Sequence, residues 1–264
     1  MRVLFLGYGH MGSALGNAWR ESGRVAELLA VDPAAAAEPG RYPSIDALPA
    51  EQVAAGFDLV VLAVKPALAQ QALRALPAAC WGSAALVSVA AGVTLATLSA
   101  ALPAGVPVVR AMPNTPALLR AGCTGLFAGP AVDAALRKRL DALFATVGSV
   151  HWLDAEVQLD MVTAISGSGP AYYHLFSEAL AEAGTALGLP QALARQLAAD
   201  TAWGAAALQH QPGADFAALR HAVTSPKGTT AVAIAVFEQG GVLRELVTRA
   251  TQAARQRAAE LSAV

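Results

Sequence analysis

From position 223 the chain reads Val223-Thr224-Ser225-Pro226-Lys227-Gly228-Thr229-Thr230, a turn in which three Thr and one Ser surround a Pro and a Gly. Thr229 and Thr230 open an apolar helical run, so backbone N–H groups without intrahelical acceptors point outward there. Such a place holds a small anion, for example a carboxylate. The same residues also make an ordinary, well-capped helix start. The turn gains weight from what stands at the other end of the chain.

There, Gly7-Tyr8-Gly9-His10-Met11-Gly12 follows a short apolar run, Arg2–Leu6, and precedes a helical stretch to about Ser22. A second apolar run, Val25–Val31, ends at Asp32-Pro33, which places an acidic residue 20 positions after Gly12. The spacing is that of a βαβ dinucleotide-binding unit. Gly7 permits the tight turn, Gly9 lets the backbone approach a pyrophosphate, and Gly12 lets helix pack on strand. A carboxylate at the position of Asp32 accepts from a ribose 2′-OH and repels a 2′-phosphate. No Arg or Lys follows it until Arg41, so this loop lacks a basic cradle for a 2′-phosphate and favours NADH.

Other chemistry is thin. The five His (10, 151, 174, 210 and 221) stand at no metal-ligand spacing, and Cys80 and Cys123 are far apart, so no metal site or disulfide framework is expected. A nicotinamide enzyme can work with hydrogen-bond donors alone, because its cofactor supplies the hydride. The net charge of -1 offers no basic field for nucleic acid. The opening Met1-Arg-Val-Leu-Phe-Leu-Gly lacks the shape of a signal peptide, and a cytoplasmic protein is expected. The segment between Arg74 and Arg110 carries no charge and is long enough to cross a bilayer. Prolines and glycines cut it into short pieces, which suits buried parallel strands better than a membrane span.

The elements that position these residues follow from periodicity. Phe57–Val64 is a solid buried-strand pattern, ending in Lys65-Pro66 and a helix to about Leu76. Leu86–Val89 is another strand, ending at Ala90-Ala91-Gly92. Pro107–Ala111 leads into Met112-Pro-Asn-Thr-Pro116, a rigid polar loop around Asn114. Such strand ends lie at the carboxyl edge of a parallel sheet, where ligands bind. Thr124–Ala128 and Ser149–Leu153 close the sheet, with a helix over about 132–146 between them. After Leu153 only helical periods remain, broken at Ser166-Gly-Ser-Gly-Pro170. Pro170 and Pro190 suit first helical turns. The apolar faces of this Ala- and Leu-rich half exceed what one small bundle buries, which argues for a dimer through it.

Gly7–Gly12, Ala63-Val64-Lys65-Pro66, Ser88–Val93, Arg110-Ala-Met-Pro-Asn-Thr-Pro116, Ser166-Gly-Ser-Gly-Pro-Ala-Tyr172 and Thr224–Thr230, in that order, resemble the pyrroline-5-carboxylate reductases. The resemblance spans nearly the whole chain. It implies an α/β protein, a Rossmann-type doubly wound sheet (1–153) followed by an all-helical substrate-binding and dimerisation domain (154–264). It implies reduction of 1-pyrroline-5-carboxylate to proline by NADPH or NADH, the last step of proline synthesis. It also implies a homodimer or a larger ring of dimers, with the site assembled between the Rossmann domain of one subunit and helices of the dimer.

Position by position, the resemblance puts the pyrophosphate on Gly7, Tyr8, Gly9, His10, Met11 and Gly12, and the adenosine ribose against Asp32. Ala63, Val64, Lys65, Pro66, Ala90, Ala91 and Gly92 line the dinucleotide, with Asn114 nearby. Ser225, Gly228 and Thr229 offer donors to the substrate carboxylate, and Thr230 bonds the ring nitrogen. The chain departs from the family at two points. Asp32 stands where Asn-Arg-Ser is common, and the turn reads Pro-Lys-Gly instead of Pro-Gly-Gly. A reductase of another cyclic imine, a dehydrogenase of a small hydroxy acid, and a dinucleotide-binding redox sensor without turnover remain as rivals. The absence of any Lys from Asp154 to Ala222 speaks against the dehydrogenase.

Overall fold

The computed structural model describes residues 1–34 and 38–262. Alternation builds its sheet. In β1 (Arg2–Leu6) Val3 and Phe5 enter the core on one face, Leu4 and Leu6 the core on the other. A strand covered on both faces requires apolar residues at both phases of the pleat. After β1 come α1 (His10–Glu21), β2 (Glu27–Val31), β3 (Arg41–Tyr42), α2 (Ala50–Ala54), β4 (Leu59–Leu62), α3 (Ala69–Ala75), β5 (Ala85–Ser88), α4 (Leu95–Ser99), β6 (Val108–Met112), β7 (Gly122–Ala128), α5 (Ala134–Phe144) and β8 (Gly148–Trp152). β4 repeats the alternation, with Leu59 and Val61 on the face of Val3 and Phe5 and Val60 and Leu62 on the other.

The strand order is β3-β2-β1-β4-β5-β6-β7-β8. All neighbours are parallel except β6 and β7, so the last two strands run against the rest. On one face α1 and α5 close the core, where the Trp19 ring stands edge-on to Phe144 at 5.4 Å. On the other face Leu73 of α3 and Leu98 of α4 do the same. This is the expected doubly wound sheet. The uncharged stretch between Arg74 and Arg110 becomes β5, α4 and β6 with their loops. Among the described residues no helix is long and apolar enough to cross a membrane.

The change of grammar after Leu153 does not coincide with the division by compactness. Met1–Ser168 form one unit together with the end of the chain from Ala254, and Gly169–Ala253 form the other. The helix after β8, α6 (Gln158–Val162), packs against β7, where a Cβ at Gly125 would stand 2.9 Å from Val162. The Ser-Gly-Ser-Gly segment does not break the chain here. Thr163–Gly167 form a π-helical turn leading into α7 (Gly169–Ala186).

In the second unit α8 (Gln191–Gln209), α9 (Phe216–Ala222) and α10 (Thr229–Glu238) follow α7, and the chain ends in α11 (Val242–Ser262). Pro190 is the N-cap of α8 and not a residue of its first turn. Gly184 lets α7 approach α8, since a Cβ there would stand 3.2 Å from that of Ala194. The unit leaves much apolar surface in the open. Trp203 is 75% exposed and Val232 66%, and α10 buries none of its residues.

Candidate active site

The ends of β1, β4 and β5 lie side by side, so the loops beginning at Gly7, Ala63 and Val89 share the carboxyl edge of the sheet. Gly7 has φ +89°, and a Cβ there would stand 2.6 Å from the Ala63 carbonyl oxygen. Only glycine serves both demands. Gly9 is exposed, with nothing within 4 Å of where its Cβ would stand, and it caps α1 without any side-chain hydrogen bond. A Cβ on Gly12 would stand 2.7 Å from the Gly7 carbonyl oxygen. The open backbone at Gly9 and the uncapped helix start fit a pyrophosphate. His10 is exposed, and Met11 is half-buried against the core under the loop.

Asp32 follows directly on β2. Its Oδ2 accepts from the Tyr8 N–H at 2.6 Å and its Oδ1 from the Ala34 N–H at 2.8 Å. Each oxygen keeps a lone pair, so the carboxylate can still receive a ribose hydroxyl. A cleft of about 470 Å³ opens here between Tyr8, Gly9, Ser13, Asn17, Asp32 and Arg41.

Arg41 corrects the expectation that the loop lacks a basic group. Gly40 turns at φ +77°, and the two-residue β3 pairs Arg41 with Ala30 and Tyr42 with Val31. The cation therefore returns beside Asp32. No periodicity reveals a strand of two residues.

Farther along the edge, Ala63 and Val64 are half-buried, Lys65 and Pro66 exposed, Ala90 buried and Ala91 half-buried. Gly92 turns at φ +75°, and the end of α11 lies against it, with Leu261 backbone 2.9 Å from a Cβ placed there. Asn114 is buried with its amide engaged inside the protein. Nδ2 donates to the Ser166 carbonyl at 3.0 Å, and Oδ1 accepts from the Cys123 N–H at 2.8 Å. It ties the Pro-Asn-Thr-Pro loop to the π-helical turn and to β7.

The hydroxyl turn stands in the second unit. The Gly228 N–H donates to the Ser225 carbonyl at 3.0 Å, closing a β-turn with Pro226 and Lys227 at its centre. Lys227 has φ +64°, which makes the turn type II, the form that prefers glycine at its third position. The lysine therefore holds a backbone conformation that favours glycine, under strain. The Gly228 N–H, expected as a donor to the substrate carboxylate, is thus already used inside the turn. The Thr224 hydroxyl donates to the Arg220 carbonyl at 2.6 Å. The first bond inside α10 is from the Val232 N–H to the Gly228 carbonyl, and no side chain caps this end. The N–H groups of Thr229 and Thr230 remain available. Ser225 and Thr229 are exposed, and Thr230 is half-buried.

A carboxylate clamp sets the helices around the turn. Glu238, at the end of α10, accepts from Arg220 of α9 at 2.9 Å and from Arg244 of α11 at 2.6 Å. The hydrogen bond from Arg244 holds the Glu238 carboxyl below its ordinary value.

Sheet, glycine loop and acid-ended second strand define a Rossmann-type dinucleotide-binding protein with an appended helical part. Residues 2–92 match the family described as NADP oxidoreductase, coenzyme F420-dependent, and 156–261 match pyrroline-5-carboxylate reductase dimerisation. The chain is 43% identical to the pyrroline-5-carboxylate reductase of Pseudomonas aeruginosa, over 99% of this chain and 97% of that one. It is 41% identical to that of Mycobacterium tuberculosis H37Rv, covering 98% and 96% of the two chains. The structure of the Coxiella burnetii pyrroline-5-carboxylate reductase superposes with a TM-score of 0.88 at 36% identity, over 99% of this chain and 98% of that one. That of the Plasmodium falciparum pyrroline carboxylate reductase with NADP bound gives 0.85 at 27%, with the same coverage. The chain belongs to the pyrroline-5-carboxylate reductase family.

Proposed function

We propose that the chain reduces 1-pyrroline-5-carboxylate to proline with NADH or NADPH, the last step of proline synthesis. The observation that carries the reading to substrate is the uncapped start of α10 behind a type II turn. It offers the Thr229 and Thr230 N–H groups and the Ser225 hydroxyl to a carboxylate. The Thr230 side chain orients the ring nitrogen. When bound, the reduced nicotinamide supplies the hydride. An iminium carbon accepts hydride more readily than a neutral imine, and a Thr hydroxyl is too weak an acid to make one alone. Thr230 therefore acts by holding the ring at near-attack distance.

The Gly7–Gly12 loop and the start of α1 hold the pyrophosphate, and Asp32 holds the adenosine ribose. In this reading residues 1–153 bind the dinucleotide and 154–264 bind the imine. A carboxylate beside the ribose favours NADH, which we infer is used at least as well as NADPH. The exposed faces of α7, α8 and α10 support a homodimer through the helical part, with a larger ring of dimers built from it. The free Cys80 and Cys123 suit a reducing cytoplasm.

The test is steady-state oxidation of each cofactor with pyrroline-5-carboxylate as substrate. Turnover with both, NADH at least equal in kcat/KM, is the expected result. Dimeric protein that binds cofactor but never turns over would overturn the reading.

A further inference from the structure

The cleft beside Asp32 contains a cation whose placement the ribose contact leaves unexplained. The Arg41 side chain is 9% exposed, and its guanidinium lies 3.4 Å from the centroid of the Tyr8 ring. Tyr8 is itself fixed. Its hydroxyl donates to Asn17 Oδ1 at 3.0 Å, and the ring fills the space that a side chain at Gly16 would take. The stack of Gly16, Tyr8 and Arg41 therefore presents a rigid, planar cation at the mouth of the glycine loop.

The hydrogen bonds of that cation are incomplete. Its ion pair among the described residues is with Glu38, at 3.8 Å and with the carboxylate 67% exposed, a pair that contributes little. It makes no ion pair with Asp32, although both flank Tyr8. Nη1 of Arg41 is buried and has no hydrogen-bond partner among the described residues. A buried charged donor left unmade is costly, and such groups mark places where a ligand completes the set.

We propose that Arg41 is the specificity-determining residue that admits a 2′-phosphorylated dinucleotide to this cleft. It does so by donating from Nη1 to the phosphate while Asp32 serves the unphosphorylated ribose. The inference rests on the dinucleotide-binding reading and refines it. Asp32 alone would exclude NADPH by repulsion, and Arg41 offsets that repulsion from the neighbouring strand. The planar guanidinium matters as well as the charge, because its face is taken by Tyr8 and only its edge is left to donate.

The experiment is calorimetric titration of the full chain with ADP-ribose and with 2′-phospho-ADP-ribose, neither of which can react. Wild type, Arg41→Gln and Arg41→Lys are compared at two salt concentrations. Wild type should bind both ligands. Arg41→Gln should shift the ratio of the two dissociation constants against the phosphorylated ligand by about tenfold or more, and Arg41→Lys by less. The extra salt dependence of the phosphorylated ligand should disappear with the guanidinium. Binding of ADP-ribose reports that each variant is folded. An unchanged ratio in both variants, with ADP-ribose still bound, would overturn the role of Arg41. If wild type binds neither ligand, the dinucleotide reading itself fails.

Discussion

Replacing Lys227 by Gly tests how the turn is built. Lys227 occupies the third position of a type II turn at φ +64°, a conformation that costs an L residue about 1 kcal/mol and glycine almost nothing. Lys227→Gly removes that strain. It also frees the unfolded chain, which offsets about 0.4–1 kcal/mol. The net change in stability is then within about 1 kcal/mol, or roughly 2–4 °C in Tm for a chain of this length. The Gly228–Ser225 hydrogen bond and the α10 donors keep their places. Lys227 is exposed, so KM for the imine should change by less than about tenfold, 1.4 kcal/mol. Lys227→Pro is the contrast. Its ring fixes φ near about −65°, which cannot close this turn, and KM should rise well beyond that limit. The assay is a thermal melt beside initial rates over a range of imine concentrations. A larger rise of KM in Lys227→Gly would mean that the ammonium holds the substrate. Activity that appears only in Lys227→Gly would mean that the natural chain is a disabled reductase and a dinucleotide sensor.

Thr230→Val keeps the shape and loses one hydrogen bond to the ring, so kcat should fall about 5- to 150-fold, for about 1–3 kcal/mol; an unchanged kcat would remove Thr230 from the site. Asp32→Ala removes the repulsion of a 2′-phosphate and one ribose acceptor, so the kcat/KM ratio should move toward NADPH. If that ratio does not move, Asp32 acts only on the Tyr8 and Ala34 N–H groups. Because Arg244 depresses the Glu238 carboxyl, the clamp is intact above the ordinary carboxyl value of 4.5 and is lost as pH falls through the lowered one. The urea midpoint of wild type should accordingly approach that of Glu238→Gln in acid, and a gap that widened there would contradict the clamp. With so much of α7, α8 and α10 exposed, light scattering at micromolar concentration should find no folded monomer.

What the chain reveals before folding follows physical rules that act locally. The strands β1, β4 and β5 are apolar at both phases of the pleat, and the glycines after β1 mark a turn no other residue permits. After Leu153 the apolar period is helical throughout, and among the described residues only helical elements, α6 to α11 and short turns between them, follow β8. Long-range closure is what local rules miss. Two residues of β3 suffice to carry Arg41 back to Asp32, yet they form no pattern. The π-helical turn differs from a break only through its bonds, and Asn114 holds it from a loop far away in sequence. The same limit applies to Gly228. Its type suits a donor at a helix start, but its N–H is already committed to Ser225. The end of α11 reaches Gly92 with no local sign that it will.

The most direct measurement follows the hydride itself. Proline formed from pyrroline-5-carboxylate with cofactor deuterated at the transferring position of the nicotinamide is examined by mass spectrometry and NMR. One deuterium is expected, on the ring carbon next to nitrogen that does not carry the carboxylate, from one of the two stereochemically labelled cofactors, lost together with turnover when Thr230 and Ser225 are both replaced by apolar residues. Proline without deuterium, or no proline from protein that binds the dinucleotide, would contradict it.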